Sequence, residues 1–163
     1  MKKIIRPFLV VFLALGLLIG VGIPAAAQEC PPPPECPPPP ECPPQEGLTP
    51  GFWKNHVEAW VGYSPNQTLE SVFDVPDSLG LDNVSLLDAL NFGGGPGVDG
   101  MAKILLRAAV AALLNAAHPD INYAITEPAV IGATNFVLAT LDKDFMETLK
   151  DLFDALNNLG GSL

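Results

Sequence analysis

Three features of residues 47–163 predict an all-α fold. Apolar residues recur at helical spacing, capping residues and breakers bracket each run, and no period-two alternation lasts long enough for a strand. The expected architecture is a small irregular helical bundle around one central apolar helix, preceded by a polyproline II stalk.

Residues 1–27 read as a secretory signal peptide. Lys2, Lys3 and Arg6 form a basic start, Phe8 to Ile23 an apolar run, and Ala25-Ala26-Ala27 a small-residue cleavage site. Gly16, Gly20 and Gly22 interrupt the run, which argues against a permanent membrane span of about 20 apolar residues. Cleavage after Ala27 leaves a chain beginning at Gln28 and an extracellular, cell-surface or periplasmic destination. Of the chain's 8 Lys+Arg, five lie beyond the signal, against 18 Asp+Glu, so the mature net charge is −13. Nucleic acid and anionic membranes are therefore excluded as default partners, because both require a basic patch.

Residues 28–46 form the stalk. Glu-Cys-Pro-Pro-Pro-Pro occurs twice from Glu29 and is followed by Glu-Cys-Pro-Pro. Proline has no amide donor and a fixed φ, so this run favours polyproline II, with three residues per turn and about 3.1 Å per residue. A six-residue period is two whole turns. Cys30, Cys36 and Cys42 then line one edge about 19 Å apart, too far to pair with one another. Three cysteines in an oxidising compartment point to interchain disulfides with another copy or another surface protein. The plainer reading is a semi-rigid spacer with idle thiols.

The helices follow in order. Thr49 caps and Pro50 opens a first helix expected to run through Phe52–Trp60, with Phe52, His56 and Trp60 on one stripe. Gly62 and Pro65 end it. Short helical turns are expected at 69–73 and 86–92, the second with Ser85 and Asp88 as a near capping box. Asp99 is expected to cap the central helix to Ala117, apolar on nearly every side apart from Lys103 and Arg107. A helix capped by Thr126 should run over 127–141. The last should run over 143–158, with Phe145, Leu149, Leu152, Phe153 and Leu156 on its apolar face.

Thr49-Pro50-Gly51-Phe52-Trp53-Lys54-Asn55-His56, followed by Trp60, resembles a module of exported bacterial and archaeal proteins of unknown function. The segment 111–119 and the Asp-Ala-Leu-Asn-Asn of 154–158 are similar to that module's second half. The resemblance spans most of residues 48–163 and lends no activity. It implies a cysteine before the Thr-Pro-Gly and another near the C-terminus. Here those places fall at Leu48 and about Gly161, so core packing must hold the ends instead.

Candidate chemistry is sparse. His56 with Glu58, and His118 with Asp120, could hold zinc with an open position and support a small metal-dependent hydrolase. The histidines lie far apart in sequence, and no HExxH pair exists, so buried or capping roles compete. Trp53, Lys54, Asn55, Trp60 and Tyr63 form a possible binding surface, for a glycan among other partners, although aromatics at helical spacing are more often core. Asn66 and Asn83 match the glycosylation sequon. Gly95 to Gly100 matches GxGxxG but lacks the preceding strand a dinucleotide site needs. The expectation is a non-enzymatic exported structural or binding protein without a cofactor, its helical head displayed on a cross-linkable stalk.

Overall fold

A computed structural model describes residues 42–161 and 163; Cys30, Cys36 and the signal segment lie outside them. The described residues are all-α, with five helices: α1 (Pro50–Asn55), α2 (Leu86–Ala89), α3 (Gly97–Ala117), α4 (Glu127–Thr140) and α5 (Lys143–Asn157). Single turns of 3-10 helix and two isolated bridges connect them.

The 21-residue α3 is the centre of the bundle, packed by α5, α4, α1 and α2. Its alanines and leucines are strong helix formers, and the small alanine side chains let neighbouring helices approach closely. Everything from Ala108 to Asn115 is buried. The helix begins differently from expectation: Pro96 occupies the N-cap and Asp99 lies inside the first turn. The reason is a close backbone approach. A Cβ on Gly100 would lie 2.0 Å from the Gly95 carbonyl oxygen, so the glycine run folds back against the helix start. GxGxxG is thus a packing device here.

The first helix is also shorter than the aromatic spacing suggested. Thr49 Oγ1 accepts from the Phe52 N–H at 3.1 Å, but the helix ends at Asn55, and His56 leaves helical geometry at φ −127°, ψ 58°. The chain turns back through a 3-10 turn at Val57–Ala59. Trp60 then donates its indole N–H to the Trp53 carbonyl at 2.9 Å, satisfying an acceptor that the helix end leaves free. Phe52, His56 and Trp60 therefore do not form one helical stripe.

Between α1 and α3, residues 65–92 are stitched by backbone bonds across the Thr68–Ser85 bridge, including Leu69 to Val84 and Leu86 to Gln67, both 2.8 Å. This loop presents Leu69, Phe73, Val75, Leu81 and Leu86 to the core. Ser85 performs its expected role, accepting from the Asp88 N–H at 3.0 Å. After α4, Leu141 takes the left-handed conformation (φ 52°), and Asp142 caps α5 through Asp144 N–H at 2.8 Å.

The apolar face of α5 is rotated from the expected one. Phe153 is buried and Leu149 and Leu156 are half-buried, as expected, and Met146 and Asn157 are buried beside them, whereas Phe145 and Leu152 are 57% and 48% exposed. At about 100° per residue, turning inward the side of the stripe that holds Met146 and Asn157 turns Phe145 and Leu152 outward. Asn157 accounts for the shift. Its Nδ2 donates to the Ala108 carbonyl at 3.0 Å, and its Oδ1 accepts from Asn115 Nδ2 at 2.9 Å and the Tyr123 hydroxyl at 2.8 Å.

Asn115 completes the network and uses all its hydrogen-bonding capacity. Its Oδ1 accepts from the Leu48 N–H at 2.8 Å and the Trp53 indole N–H at 3.1 Å. Its Nδ2 donates to the Leu48 carbonyl at 2.8 Å as well as to Asn157. The amide thus pairs with Leu48 as a neighbouring strand would. Beside it, Gly47 and Gly160 exchange both backbone bonds at 2.8 and 3.0 Å. Gly47 has no room for a side chain, since a Cβ there would lie 2.0 Å from the Leu156 carbonyl oxygen.

Replacing Asn115 with Leu strands the Leu48 peptide groups and the Trp53 indole, and is expected to cost about 3 kcal/mol or more in chemical denaturation. Asn115→Asp is informative in another way. An ionised carboxylate would face the Leu48 carbonyl and Asn157 Oδ1, so burial and these acceptors raise its folded-state pKa above the unfolded value of about 3.9. The folded state then holds its proton more tightly, and stability is expected to fall as pH rises from about 4 upward. A variant whose stability tracks that of the parent across pH would contradict this assignment.

A second test concerns the chain ends. A Cβ on Gly161 would lie 3.4 Å from Leu48 Cδ2, so these two positions are neighbours. In a background with the stalk cysteines changed to serine, Leu48→Cys/Gly161→Cys is expected to form an internal disulfide. The oxidised form should be about 2–4 kcal/mol more stable than its reduced form.

Candidate functional site

The predicted site residues do not come together in one place. Cys42 is exposed at the start of the described segment, and Cys30 and Cys36 lie outside it. From Pro43 onward the chain is tied to the head. Asn122 Nδ2 donates to the carbonyls of Pro43 and Pro44 at 3.1 and 3.0 Å, and Glu46 and Asn122 bond through both backbone and side chain. The bonds to Gly160 and Asn115 follow directly. The stalk's root is thus held by consecutive hydrogen bonds that end in the core, and residues 43–46 bond to the head's own elements.

The proposed aromatic surface is mostly packing. Trp53 is fully buried and therefore cannot line a binding surface; its indole N–H is used by Asn115. Trp60 is half-buried under its bond to the Trp53 carbonyl. The half-buried Tyr63 hydroxyl donates to Glu127 Oε1 at 2.6 Å, and burial, reinforced by that carboxylate, pushes its pKa well up. The same residues that read as a possible ligand surface thus stabilise α1 and anchor the start of α4. Asn55 donates to the Gly51 carbonyl at 2.8 Å. Lys54 alone in this group projects over a hollow in the surface.

The two histidine–acid pairs remain separate. His56 is exposed, stacks on Phe52 at 4.4 Å, and pairs through Nδ1 with Glu58 Oε1 at 3.0 Å. The Glu58 carboxyl is held below its ordinary range, first by its own backbone N–H and then by His56. His118 is buried at the C-cap of α3, 6.1 Å between ring centroids from Trp53. Its Nδ1 accepts from the Asp120 N–H at 3.2 Å, which places the proton of the neutral ring on Nε2. The Asp120 contact is thus made by the backbone and leaves the carboxylate out. Among the described residues no three His, Cys, Asp or Glu side chains come together as a metal cage, so the quartet His56, Glu58, His118 and Asp120 does not assemble.

Asn66 and Asn83 both occupy exposed turns. The Ser85 hydroxyl of the second sequon is engaged by Asp88 at both donor and acceptor positions. Sequence reasoning did not single out Asn115, Asn157 or Asn122, which organise the core and the stalk's root. The available signal was an asparagine at the end of an otherwise apolar helix, where a buried amide requires partners. Comparison with known protein families, curated proteins and solved structures gives no match.

The separation of the histidines can be checked by substitution. His118→Ala is expected to destabilise the fold by about 1–3 kcal/mol through loss of a buried packed ring and its hydrogen bond. His56→Ala should move the melting temperature by no more than about 2 °C, as expected at an exposed position. Added zinc should leave the melting temperature of the parent protein unchanged. A zinc-dependent rise abolished by either substitution would restore the metal reading.

Proposed function

We propose that the chain is an exported, non-enzymatic display protein in which disulfides between proline-rich stalks join helical heads into covalent multimers at the cell surface. The observation that carries this reading is the attachment of the stalk's root. Pro43, Pro44, Glu46, Gly47 and Leu48 are bonded in succession to Asn122, Gly160 and Asn115. Tension applied through the stalk would thus reach the central helix directly, as a load-bearing tether requires. The repeat supplies Cys30, Cys36 and Cys42 at equal intervals, and Cys42 is exposed close to this root.

The mechanism is mechanical and covalent. Two thiols, one from each of two stalks, together give up two electrons and two protons to an external oxidant of the exported compartment and form a sulfur–sulfur bond. Polyproline sets the reach, and the number of bridges sets the valency. Linked heads would bind a repeated partner with avidity even if each contact were weak. Phe145 and Leu152, seven residues apart on one exposed face of α5, offer apolar area for such a contact. Signal cleavage would deliver the chain outside the cytoplasm, to the cell surface or the periplasm.

Intact mass and non-reducing electrophoresis of the exported protein test the reading. Multimers that collapse with reductant to a monomer beginning at Gln28 are expected. Replacing all three stalk cysteines with serine should abolish the multimers and leave the melting temperature of the head within about 1 °C. Monomers with free or capped thiols after export would overturn the cross-linking mechanism.

A further inference from the structure

The head carries a concentration of positive charge that its composition makes unexpected. Only five basic residues lie between positions 28 and 163, against 18 acidic ones. Three of the five border two adjoining hollows that share Asn91 and Phe92. Lys54 and Arg107 line the first, about 430 Å³, and Lys103 lines the second, about 450 Å³. None of the three makes an ion pair among the described residues; outside the hollows Lys150 is paired with Asp151 and Asp154, and Lys143 is unpaired as well. Lys54 and Arg107 thus stand on the wall of one hollow with no carboxylate bound to either, where both can meet an anion.

The first hollow is open and lined mainly by polar and charged groups. Arg107 spends Nη1 on the Phe92 carbonyl at 3.1 Å, which fixes the guanidinium against the wall and leaves its other donors unassigned. Asn91 donates Nδ2 to the Leu87 carbonyl at 3.0 Å, and Asn158 donates Nδ2 to the Asp154 carbonyl at 2.6 Å. Each amide therefore retains Oδ1 as an acceptor with no partner among the described residues. Half-buried Phe92 supplies an apolar wall. Asp154 also lines the hollow; Lys150 Nζ lies 3.4 Å from its Oδ2 but is shared with Asp151, so two cations face one partly offset carboxylate there. Asp99 stands beside Lys103 in the second hollow.

This pattern selects a ligand chemistry. Two cations suit one carboxylate, and amide oxygens suit hydroxyl donors. The volume falls within the range of small-ligand pockets. A phosphate dianion fits less well, because the net charge of the surrounding chain opposes a second negative charge. We propose that the hollow between α1, the 90–92 turn, α3 and the end of α5 binds a carboxylated sugar, a uronic acid. Its carboxylate would meet Lys54 and Arg107, and its hydroxyls Asn91 and Asn158. The site belongs to the head alone and does not depend on stalk cross-linking.

The test is an NMR or calorimetric titration of the full mature chain with D-glucuronate at low ionic strength, with D-glucose and acetate as controls. Saturable glucuronate binding is expected with a Kd on the order of 1 mM, reasonable for a ligand of this size. Glucose and acetate should each bind about tenfold more weakly or not at all. Lys54→Gln, at an exposed side chain, should weaken glucuronate binding about tenfold. Arg107→Gln should do the same, and Lys143→Gln, outside the hollow, should leave binding unaltered. Lys54→Gln keeps the test open should Arg107→Gln disturb the 90–92 turn. No saturable binding, equal binding of glucose or acetate, or a Lys54→Gln variant with parental affinity would each overturn the proposal.

Discussion

The fold depends on one buried amide. Asn115 stands at the end of a helix otherwise packed with alanine and leucine, and its side chain meets four partners. Two belong to the Leu48 peptide, one to Trp53 and one to Asn157. A buried amide with every bond made contributes modestly to net stability, whereas removing it would leave several costly unpaired groups. That asymmetry makes the network a device for selecting one arrangement of the chain. It fixes the entry of the N-terminal segment, the burial of Trp53 and the rotation of α5 together.

This constraint connects the head to whatever lies before it. The segment entering the bundle cannot join a sheet, since the described residues contain no strand beyond isolated bridges. Its peptide groups still need partners on entering the interior. Asn122, Gly160 and Asn115 provide them in sequence, and Gly47 allows the backbone to approach the end of α5 closely. The C-terminal turn is thereby held against the N-terminal entry by hydrogen bonds and apolar packing. The same end of α5 contributes Asp154 and Asn158 to the basic hollow, so the arrangement that anchors the entry also positions one wall of the cleft.

Much of the bundle was legible in the residues. Helical periodicity and caps located α3, α4 and α5 to within a few positions, and Ser85 capped α2 as its spacing implied. Errors arose where a side chain had more than one favourable destination. Phe145 and Leu152 fit an apolar stripe with Phe153 as well as Met146 does, and the buried bonds of Asn157 lie on the side that Met146 shares. Phe52, His56 and Trp60 looked like one helical stripe because spacing does not reveal that the chain breaks at His56. The histidine–acid pairs looked like ligands because proximity in sequence does not reveal which atom, carboxylate or backbone N–H, each ring meets.

The linear sequence by itself determined the all-α class, the positions of the main helices, the acidic balance and the six-residue proline repeat. Each follows from local propensity, periodicity or composition, which act over a few residues. Only the tertiary structure decided that Asn115 pairs with Leu48, that α5 turns Met146 inward and Phe145 and Leu152 outward, and that Lys54 borders the same hollow as Arg107. Those outcomes join residues dozens of positions apart. They depend on the simultaneous satisfaction of buried polar groups and close packing, a condition no local window of sequence contains.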